Sequence, residues 1–340
     1  MHKGVNTKNN MRVSFFHRRQ YGAQTSVERV FRDVRRALPS YICSKVVVSR
    51  FVSRGFWRRV WNVFEAPLHQ GDVNHITGDV HYLALFLRRK KTLLTILDCV
   101  SLEQLTGLYR GVVYLFWFWL PVRRAGLISV ISKSTKEQLL RYVNCRPEKI
   151  HVVHCPCSEE FQSAPATFNA QRPRVLQVGT GPNKNLDRLI EALREIPCHL
   201  RIVGRLSAEQ TEKLLACGID YSSITGITNT QMVKEYQQCD VLVFVSTYEG
   251  FGLPIVEAQA TGRPVVTSNI LSMPEVAGDA ACLVDPYSVE SIHKAVWHII
   301  NDADDRKRLI ERGYENVKRF QPKLIAEEYV MLYRELINAS

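Results

Sequence analysis

The second half of the chain alternates short β-rich runs with longer helical patterns, and this alternation limits the possible folds more than any other feature. The β-rich runs occur at 173–179, 198–204, 240–246, 264–268 and 281–286. The run at 240–246, DVLVFVS, is almost wholly apolar, as in a strand that is buried on both faces of a sheet. Because strands that alternate with helices form parallel sheets, the pattern predicts a doubly wound α/β domain.

The first half follows the same rhythm less clearly. It shows a helix at 26–38, strands near 45–48 and at 92–97, and a strand followed by a capped helix at 127–143. The polar segment 158–172 separates the two halves. Since 340 residues exceed the ~100–200 residues of a usual domain, we expect two domains, followed by a last helix. The expected bounds are 1–160, 161–320 and 321–340.

Positive charge is concentrated in the first half. The chain carries 45 basic and 33 acidic residues, a net charge of +12. Residues 1–160 alone hold 26 basic and 11 acidic residues, a net charge of +15. Such a field attracts phosphate-bearing partners: nucleic acid, an anionic membrane surface or a polyanionic substrate. Composition does not choose among them.

The nine cysteines are scattered and form no C-x-x-C pair, which argues against a disulfide framework and a structural zinc site. They fit a reducing cytoplasm, and the first thirty residues lack the apolar stretch of a secretory signal. One group is interpreted as strand-end packing, with metal binding as the alternative. It comprises His151, His154, Cys155 and Cys157.

The longest apolar run, VVYLFWFWL at 112–120, is too short to cross a membrane. As a helix it reaches only ~14 Å, about half of a ~30 Å hydrocarbon core. Two interpretations remain. The run is either a buried core helix or an aromatic surface, flanked by basic residues, that lies in a bilayer interface.

The segment 246–262, STYEGFGLPIVEAQATG, carries the most chemical information. A buried strand ends at Ser246, a glycine loop follows, and a helix begins at Pro254. Peptide N–H groups at a helix N-terminus lack partners within the helix, so a glycine loop there lets a phosphate or sugar hydroxyl approach closely. Glu249 precedes the loop and Glu257 is expected on the first turn of the helix. Because carboxylates repel an anion, sugar or ribose hydroxyls are their natural targets. The alternative is a surface loop followed by a helix-dipole glutamate.

Glu249 and Glu257 resemble the Glu, seven residues, Glu signature of the retaining glycosyltransferases of family 4. The segments 176–193, 236–252 and 262–278 resemble the family's phosphate loop and the surroundings of its signature. Less specifically, 71–98 and 127–139 resemble its acceptor domain. The resemblance implies the GT-B fold: two Rossmann-like domains facing each other across a cleft, with the C-terminal helix packing back on the N-terminal domain.

The resemblance also implies roles for individual residues. Glu257 would hold the ribose hydroxyls of a nucleotide, and Glu249 would contact the donor sugar near the reacting carbon. Lys184 would neutralise the charge that builds on the diphosphate as the nucleotide leaves, where other folds use a metal. We therefore expect neither a metal nor a cofactor. Further donor contacts are expected from Gly250, Phe251, Gly252, Leu253, Gly179, Arg205, Gly226, Ile227 and Gly22.

The sequence departs from the family pattern at two positions. Thr180 stands where relatives often have an arginine, and Arg205 is the candidate to supply the missing charge. Leu97 stands where relatives have a histidine beside the reacting sugar. The candidate catalytic residues near it are Asp98, His75 and, as an alternative, His81. Either histidine is equally explained as an ordinary structural residue.

The expected reaction moves a mannose-like or glucose-like hexose, with retention, from a nucleotide-diphosphate sugar to a hydroxyl of a glycan or lipid-linked acceptor. This reaction belongs to cell-surface polysaccharide or lipopolysaccharide synthesis. The expected partners are the donor, the acceptor and an anionic membrane that contacts the basic half. Nucleic acid is not expected. The expected location is the cytoplasm, with association at the inner face of the cytoplasmic membrane.

Other functions remain open on the same paired domains. One is a nucleotide-sugar epimerase or a phosphorylase, although no segment resembles the Schiff-base lysine site that a glycogen-type phosphorylase needs. Another is a sugar-nucleotide, membrane or nucleic-acid binding protein whose catalysis is weakened by Leu97. The sequence identifies neither the sugar, the nucleotide, the acceptor nor the oligomeric state.

Overall fold

The computed structural model describes residues 10–20 and 26–339. Within it the chain folds into two units, each with its own core. Unit 1 comprises Met1–Pro156 and Pro322–Ser340, and unit 2 comprises Cys157–Gln321. Each unit is built on one six-stranded sheet.

All neighbouring strands in the sheet of unit 1 pair in parallel, in the order β2-β1-β3-β4-β5-β6. The strands are β1 Met11–His17, β2 Ile42–Val48, β3 Val73–Ile76, β4 Thr92–Ile96, β5 Leu127–Val130 and β6 Ile150–Val152. The helices are α1 Ser26–Ala37, α2 Phe56–Glu65, α3 Val100–Gln104, α4 Gly107–Val113, α5 Leu120–Arg124 and α6 Lys133–Tyr142. A π-helical turn, Tyr114–Trp119, joins α4 to α5.

The sheet of unit 2 is also parallel, in the order β12-β11-β10-β7-β8-β9. Its strands are β7 Arg174–Val178, β8 His199–Val203, β9 Tyr221–Ile224, β10 Val241–Phe244, β11 Val265–Ser268 and β12 Cys282–Val284. Its helices are α7 Leu186–Leu193, α8 Ala208–Ala216, α9 Asn229–Gln238, α10 Leu253–Ala260, α11 Met273–Ala277, α12 Val289–Asn301 and α13 Ala303–Val317.

The strand order reverses between β7 and β10, which pair with Leu176 opposite Leu242. In a doubly wound sheet, ligands bind at the carboxyl ends of the two strands that flank such a reversal. The loops that follow β7 and β10 are therefore the place in unit 2 where a site is expected from the topology alone.

Local sequence explains how several helices begin. Ser207 and Gln210 form a reciprocal capping box before α8, and Thr228 and Gln231 form another before α9. Each box satisfies two of the N–H groups that the first turn leaves without partners. Ser132 caps α6 by accepting from the Thr135 amide, as the sequence predicts.

The C-terminal helix α14, Pro322–Asn338, packs in unit 1 against α1. Its buried Tyr329 and Tyr333 contact rings of the unit 1 core. Two parallel Rossmann-like sheets and a last helix that returns to the first unit confirm the predicted α/β fold class.

Candidate functional site

The loop after β7 brings Lys184 to the reversal point of the unit 2 sheet. Gly179 ends the strand at φ +90°, and a Cβ there would lie 2.9 Å from Cε of Lys184. Glycine therefore lets the lysine side chain pack over the strand end. The buried amide of Gln177 donates to the carbonyls of Gly179 and Lys184, both at 3.1 Å. These bonds fix the loop that carries the predicted lysine.

The loop after β10 brings Glu249 to the same point. Nζ of Lys184 donates to Oε1 of Glu249 at 2.6 Å, and both side chains are mostly buried. Asn183 donates to the carbonyl of Tyr248 at 3.0 Å and to Oε1 of Glu249 at 3.4 Å. The ammonium also lies 4.7 Å from the centre of the Phe244 ring, a cation–π contact. Two predicted site residues that are 65 positions apart thus form one charged pair.

The glycine loop leads directly into α10. Gly252 is the N-cap residue at φ +107°, and Leu253 is the first helical residue. The hydroxyl of Ser272 donates to the carbonyls of Glu249 and Phe251 at 3.0 and 2.9 Å. The ring of Phe251 is buried, so it can offer a ligand its backbone but not its ring. The loop and first turn contain the predicted contacts Gly250, Phe251, Gly252 and Leu253.

Glu257 lies in the second turn of α10, one turn later than expected, because the helix already begins at Leu253. Its side chain is almost fully buried, and the hydroxyl of Tyr236 on α9 donates to its Oε2 at 2.8 Å. Burying a carboxylate costs free energy unless it is hydrogen-bonded, so Tyr236 stabilises Glu257 in this position. Residues four apart share a helix face, which places Glu257 on the same face as Leu253.

The loops after β8 and β9 hold the other predicted contacts of unit 2. The hydroxyl of Thr180 donates to the carbonyl of Arg205 at 2.6 Å, and a Cβ on Gly204 would lie 2.8 Å from the Thr180 methyl. Thr180 therefore ties the loop after β7 to the loop after β8, whereas Arg205 is exposed. Gly226 has φ +67° and precedes Ile227 in the loop after β9. All these loops leave the same edge of the parallel sheet.

In unit 1, Asp98 and Leu97 follow β4, at the edge of the sheet where ligands of parallel sheets bind. Oδ1 of Asp98 accepts from the amide of Val100 at 3.0 Å, at the start of α3. His81 is buried, with Nδ1 2.7 Å from the carbonyl of Trp117. Burial lowers the pKa of His81, and the charge of Asp79, the bond to the Trp117 carbonyl and, last, the charge of Asp98 act in the opposite direction. Gly22 lies outside the described residues.

The structure does not support the catalytic role expected for His75. This residue of β3 is fully buried, with Nδ1 2.8 Å from the Tyr333 hydroxyl and Nε2 2.7 Å from that of Thr95. Burial lowers the pKa of His75 well below its ordinary value, and the charges of His17 and Arg35 lower it further. A neutral ring without exposed surface, with both nitrogens bonded, holds α14 on the sheet rather than contacting a substrate.

The apolar run at 112–120 is partly buried in the core of unit 1 and partly exposed. It lies in the continuous helical segment formed by α4, the π-helical turn and α5. Val113, Trp117 and Phe118 are buried, whereas Leu115 and Phe116 are more than one third exposed. Across the described ranges, none of the helices is long and apolar enough to cross a membrane.

The structure also shows where the predicted histidine–cysteine group lies. Cys155 and Cys157 are buried after β6. Within residues 10–20 and 26–339, no three His, Cys, Asp or Glu side chains are grouped in a way that could hold a metal ion.

Sequence reasoning missed the polar residues that hold the site together. Asn185 adopts the left-handed conformation at φ 58° before α7, and its amide donates to the carbonyls of Val245 and Pro286 at 3.0 and 2.7 Å. It thereby joins the loops after β7, β10 and β12. An asparagine at the end of a loop and before a helix was the available signal, since asparagine tolerates φ above zero. Gln177 and Tyr236 give no such signal, because their roles depend on tertiary contacts.

Comparison with known proteins adds a family match over part of the chain and a likeness in fold. Residues 158–316 match the family described as glycosyl transferases group 1. The O-antigen chain mannosyltransferase B of Escherichia coli is 26% identical over 238 residues, which cover 62% of this chain and 61% of that protein. The chain spans still smaller shares, 54% and 25%, of two other mannosyltransferases.

Solved structures resemble the whole chain. Sucrose-phosphate synthase from Thermosynechococcus elongatus matches with a TM-score of 0.77 and 18% identity, covering 97% of this chain and all of that one. Anabaena HepE, in complex with UDP and glucose, matches with a TM-score of 0.76 and 18% identity, covering 95% and 99%. At these identities the likeness shows the fold, a two-domain Rossmann-like GT-B architecture. The family match over residues 158–316 lies within unit 2 and covers just under half of the chain.

Proposed function

We propose that this protein is a glycosyltransferase that moves a hexose from a nucleotide-diphosphate sugar to an acceptor hydroxyl, with retention at the anomeric carbon. The observation that carries the proposal is the Lys184–Glu249 pair, 2.6 Å apart, at the reversal point of the unit 2 sheet. The topology provides a ligand edge there, and the pair supplies one cation and one anion at that edge.

Lys184 has the properties of a diphosphate ligand. Lysine carries three N–H donors, so the bond to Glu249 leaves the ammonium further capacity for phosphate oxygens. The Gln177 bonds fix the backbone of the loop, and Glu249 and the Phe244 ring hold the lysine side chain in place before a donor arrives. A preorganised charge of this kind stabilises the leaving diphosphate without reorganising during the reaction. In this proposal the ammonium takes the part that a metal takes in other folds.

Glu249 and Glu257 are suited to hydroxyl groups. A carboxylate beside a diphosphate is unfavourable unless a cation compensates it, and Lys184 compensates Glu249. We assign the donor sugar to Glu249 and the ribose to Glu257, whose orientation the Tyr236 hydroxyl fixes. In the reaction, the bond from the anomeric carbon to the phosphate oxygen breaks and the acceptor oxygen takes its place. The acceptor proton leaves with the nucleoside diphosphate.

For the sugar, the mannosyltransferases among the relatives favour mannose, with glucose as the other candidate. The acceptor would be a glycan or a lipid-linked glycan of cell-surface polysaccharide or lipopolysaccharide synthesis. The net charge of +15 on residues 1–160 suits an acceptor on a diphosphate carrier and contact with an anionic membrane at its cytoplasmic face.

The test is donor hydrolysis and binding across GDP-, UDP- and ADP-hexoses. We expect one donor class to bind and turn over, and Lys184→Ala to lower turnover by about 10²–10³-fold. The matched control is Lys213→Ala, which removes a lysine of unit 2 paired with Glu191 on the surface. If no donor binds, or if Lys184→Ala behaves like Lys213→Ala, the proposal is wrong.

A further inference from the structure

An exposed apolar face runs along α2 and continues to Leu68. The side chains of Trp57, Trp61, Phe64 and Leu68 are 79, 53, 62 and 80% exposed. They recur at intervals of four, three and four residues, which places them along one side of a helix. Phe86 extends the surface, since its ring lies 5.0 Å from that of Phe64. We call Trp57, Trp61, Phe64, Leu68 and Phe86 the α2 face.

The opposite side of α2 is already committed to the unit 1 core. Asn62 and Val63 are buried. The Asn62 side chain accepts from the amide of Phe51 at 3.0 Å, donates to its carbonyl at 2.9 Å and donates to the Tyr82 hydroxyl at 3.3 Å. The orientation of the helix is therefore fixed, and folding of unit 1 leaves the aromatic side outward.

Basic residues surround the α2 face. Arg50, Arg54 and Arg58 are exposed before and on the helix, and Glu65, the last residue of α2, is the one acidic residue between Arg50 and Leu68. The guanidinium of Arg50 lies 5.7 Å from the centre of the Trp61 ring. Three further exposed basic residues follow Phe86 in sequence: Arg88, Arg89 and Lys90.

We propose that the α2 face lies in the interface of an anionic phospholipid bilayer. Tryptophan is enriched in that region, and a helix with an aromatic side and flanking arginines inserts its apolar side ~5–10 Å deep. A second copy of the chain fits the charge less well, because a two-fold contact would bring the same basic surface of both copies together. The inference rests on the membrane contact of the proposed function and names the segment that makes it.

The experiment is co-sedimentation of the full chain with vesicles of equal parts phosphatidylglycerol and phosphatidylcholine, and with vesicles of phosphatidylcholine alone. We expect binding to the anionic vesicles that falls with added salt. Trp57→Ser combined with Trp61→Ser should weaken binding at least tenfold, and Arg58→Gln about fivefold, since each basic residue near such a surface contributes about 1 kcal/mol. Tryptophan fluorescence of the wild type should be quenched by brominated acyl chains.

The matched controls lie on unit 2. Trp297→Ser removes a half-exposed tryptophan and Lys307→Gln an exposed lysine, and both should bind vesicles as the wild type does. Equal binding of the double tryptophan variant and the wild type would overturn the inference for α2 while leaving membrane contact elsewhere in place. Self-association that the double variant abolishes, without vesicle binding, would assign the face to a second copy. Donor hydrolysis, measured on every variant, tests the proposed function separately.

Discussion

In the proposed reaction Lys184 acts on the diphosphate of the donor and Glu249 on its sugar, and the two side chains form one ion pair. Each residue holds the other in position. Substitution of either one would leave the other charge without its ion-pair partner. The neighbouring Asn183 amide donates to Oε1 of Glu249 at 3.4 Å. This bond is weaker than the one from the Lys184 ammonium at 2.6 Å and does not replace it. Such residues act as a unit rather than independently.

This coupling predicts a non-additive mutant cycle. Lys184→Ala and Glu249→Gln should each lower donor turnover by about 10²–10³-fold, and the double variant should lose much less than the product of the two losses. The measurement is turnover by the wild type, the two single variants and the double variant, with the donor identified among the GDP-, UDP- and ADP-hexoses. Losses that multiply fully would show that the two side chains do not cooperate in the reaction.

Leu97 is the residue whose identity the family resemblance leaves least explained. It follows β4 and is half-buried beside Asp98. We predict that Leu97→His raises turnover, because the family pattern that the sequence resembles has a histidine at this position. Leu97→Asn is the control for polarity alone. A neutral or lower turnover for the histidine variant would mean that the site is rebuilt around another group.

At the scale of elements, the end of α10 depends on one glycine. Gly262 has φ +74°, and a Cβ there would overlap the hydroxyl of Tyr314, which bonds Ser163 at 2.8 Å. Gly218, after α8, has φ +64° with nothing within 4 Å of a Cβ. The two positions therefore share backbone strain but differ in space.

Alanine at these two positions should separate the two effects. Gly218→Ala should lower the free energy of unfolding by roughly 1 kcal/mol, from left-handed strain alone. Gly262→Ala should lower the free energy of unfolding by a further ~1–3 kcal/mol, because the Tyr314 side chain must move. Urea denaturation measures both. Equal losses would show that the Tyr314 side chain moves aside without cost.

The sequence predicts the apolar elements well and the polar ones poorly. Strands β7, β8, β10, β11 and β12 fall within the expected runs. The clearest is β10, VLVF, because a strand buried along its whole length is marked by continuous apolar residues. The expectation omits β9, an edge strand with the polar sequence YSSI. It also omits β1, where Ser14 and His17 interrupt the apolar pattern and find partners only in the fold.

The same limit applies to the candidate site. The positions of Gly179, Lys184 and Glu249 at the ends of β7 and β10 could be predicted, because a motif fixes their place relative to a strand and a helix. His75 could not be judged from sequence, since its burial depends on α14, which lies about 250 residues away and bonds it through Tyr333. Tyr236 is likewise recognised only once α9 and α10 are seen side by side.

At the scale of the whole molecule, strand β1 and helix α14, which are far apart in the sequence, pack together in unit 1. The ring of His75 packs 5.1 Å from that of Phe15 on β1 and 5.0 Å from that of Tyr329 on α14. His17, at the end of β1, is also buried, with Nε2 3.0 Å from a guanidinium nitrogen of Arg35. Two neutral histidines therefore lie in the core that joins the strands to the last helix.

These histidines predict that unit 1 loses stability in mild acid. Burial first, then the charges of Arg35 and Arg18, lower the pKa of His17 to about 4 from an ordinary 6.5. Between these values the unfolded chain binds a proton that the folded chain does not, so stability is complete above pH ~6.5 and falls towards pH ~4. For His17 alone the loss reaches about 3 kcal/mol, and His75 acts in the same direction.

Thermal unfolding followed by tryptophan fluorescence tests this, since four of the five tryptophans precede residue 157. Between pH 7 and 4.5 the melting temperature of the wild type should fall, and it should fall less in His17→Gln even though that variant starts lower. His298→Gln, at a half-exposed histidine on α12 paired with Asp305, is the control and should keep the wild-type slope. Parallel pH profiles for all three proteins would show that His17 takes up its proton without unfolding, and that the acid sensitivity of unit 1 has another source.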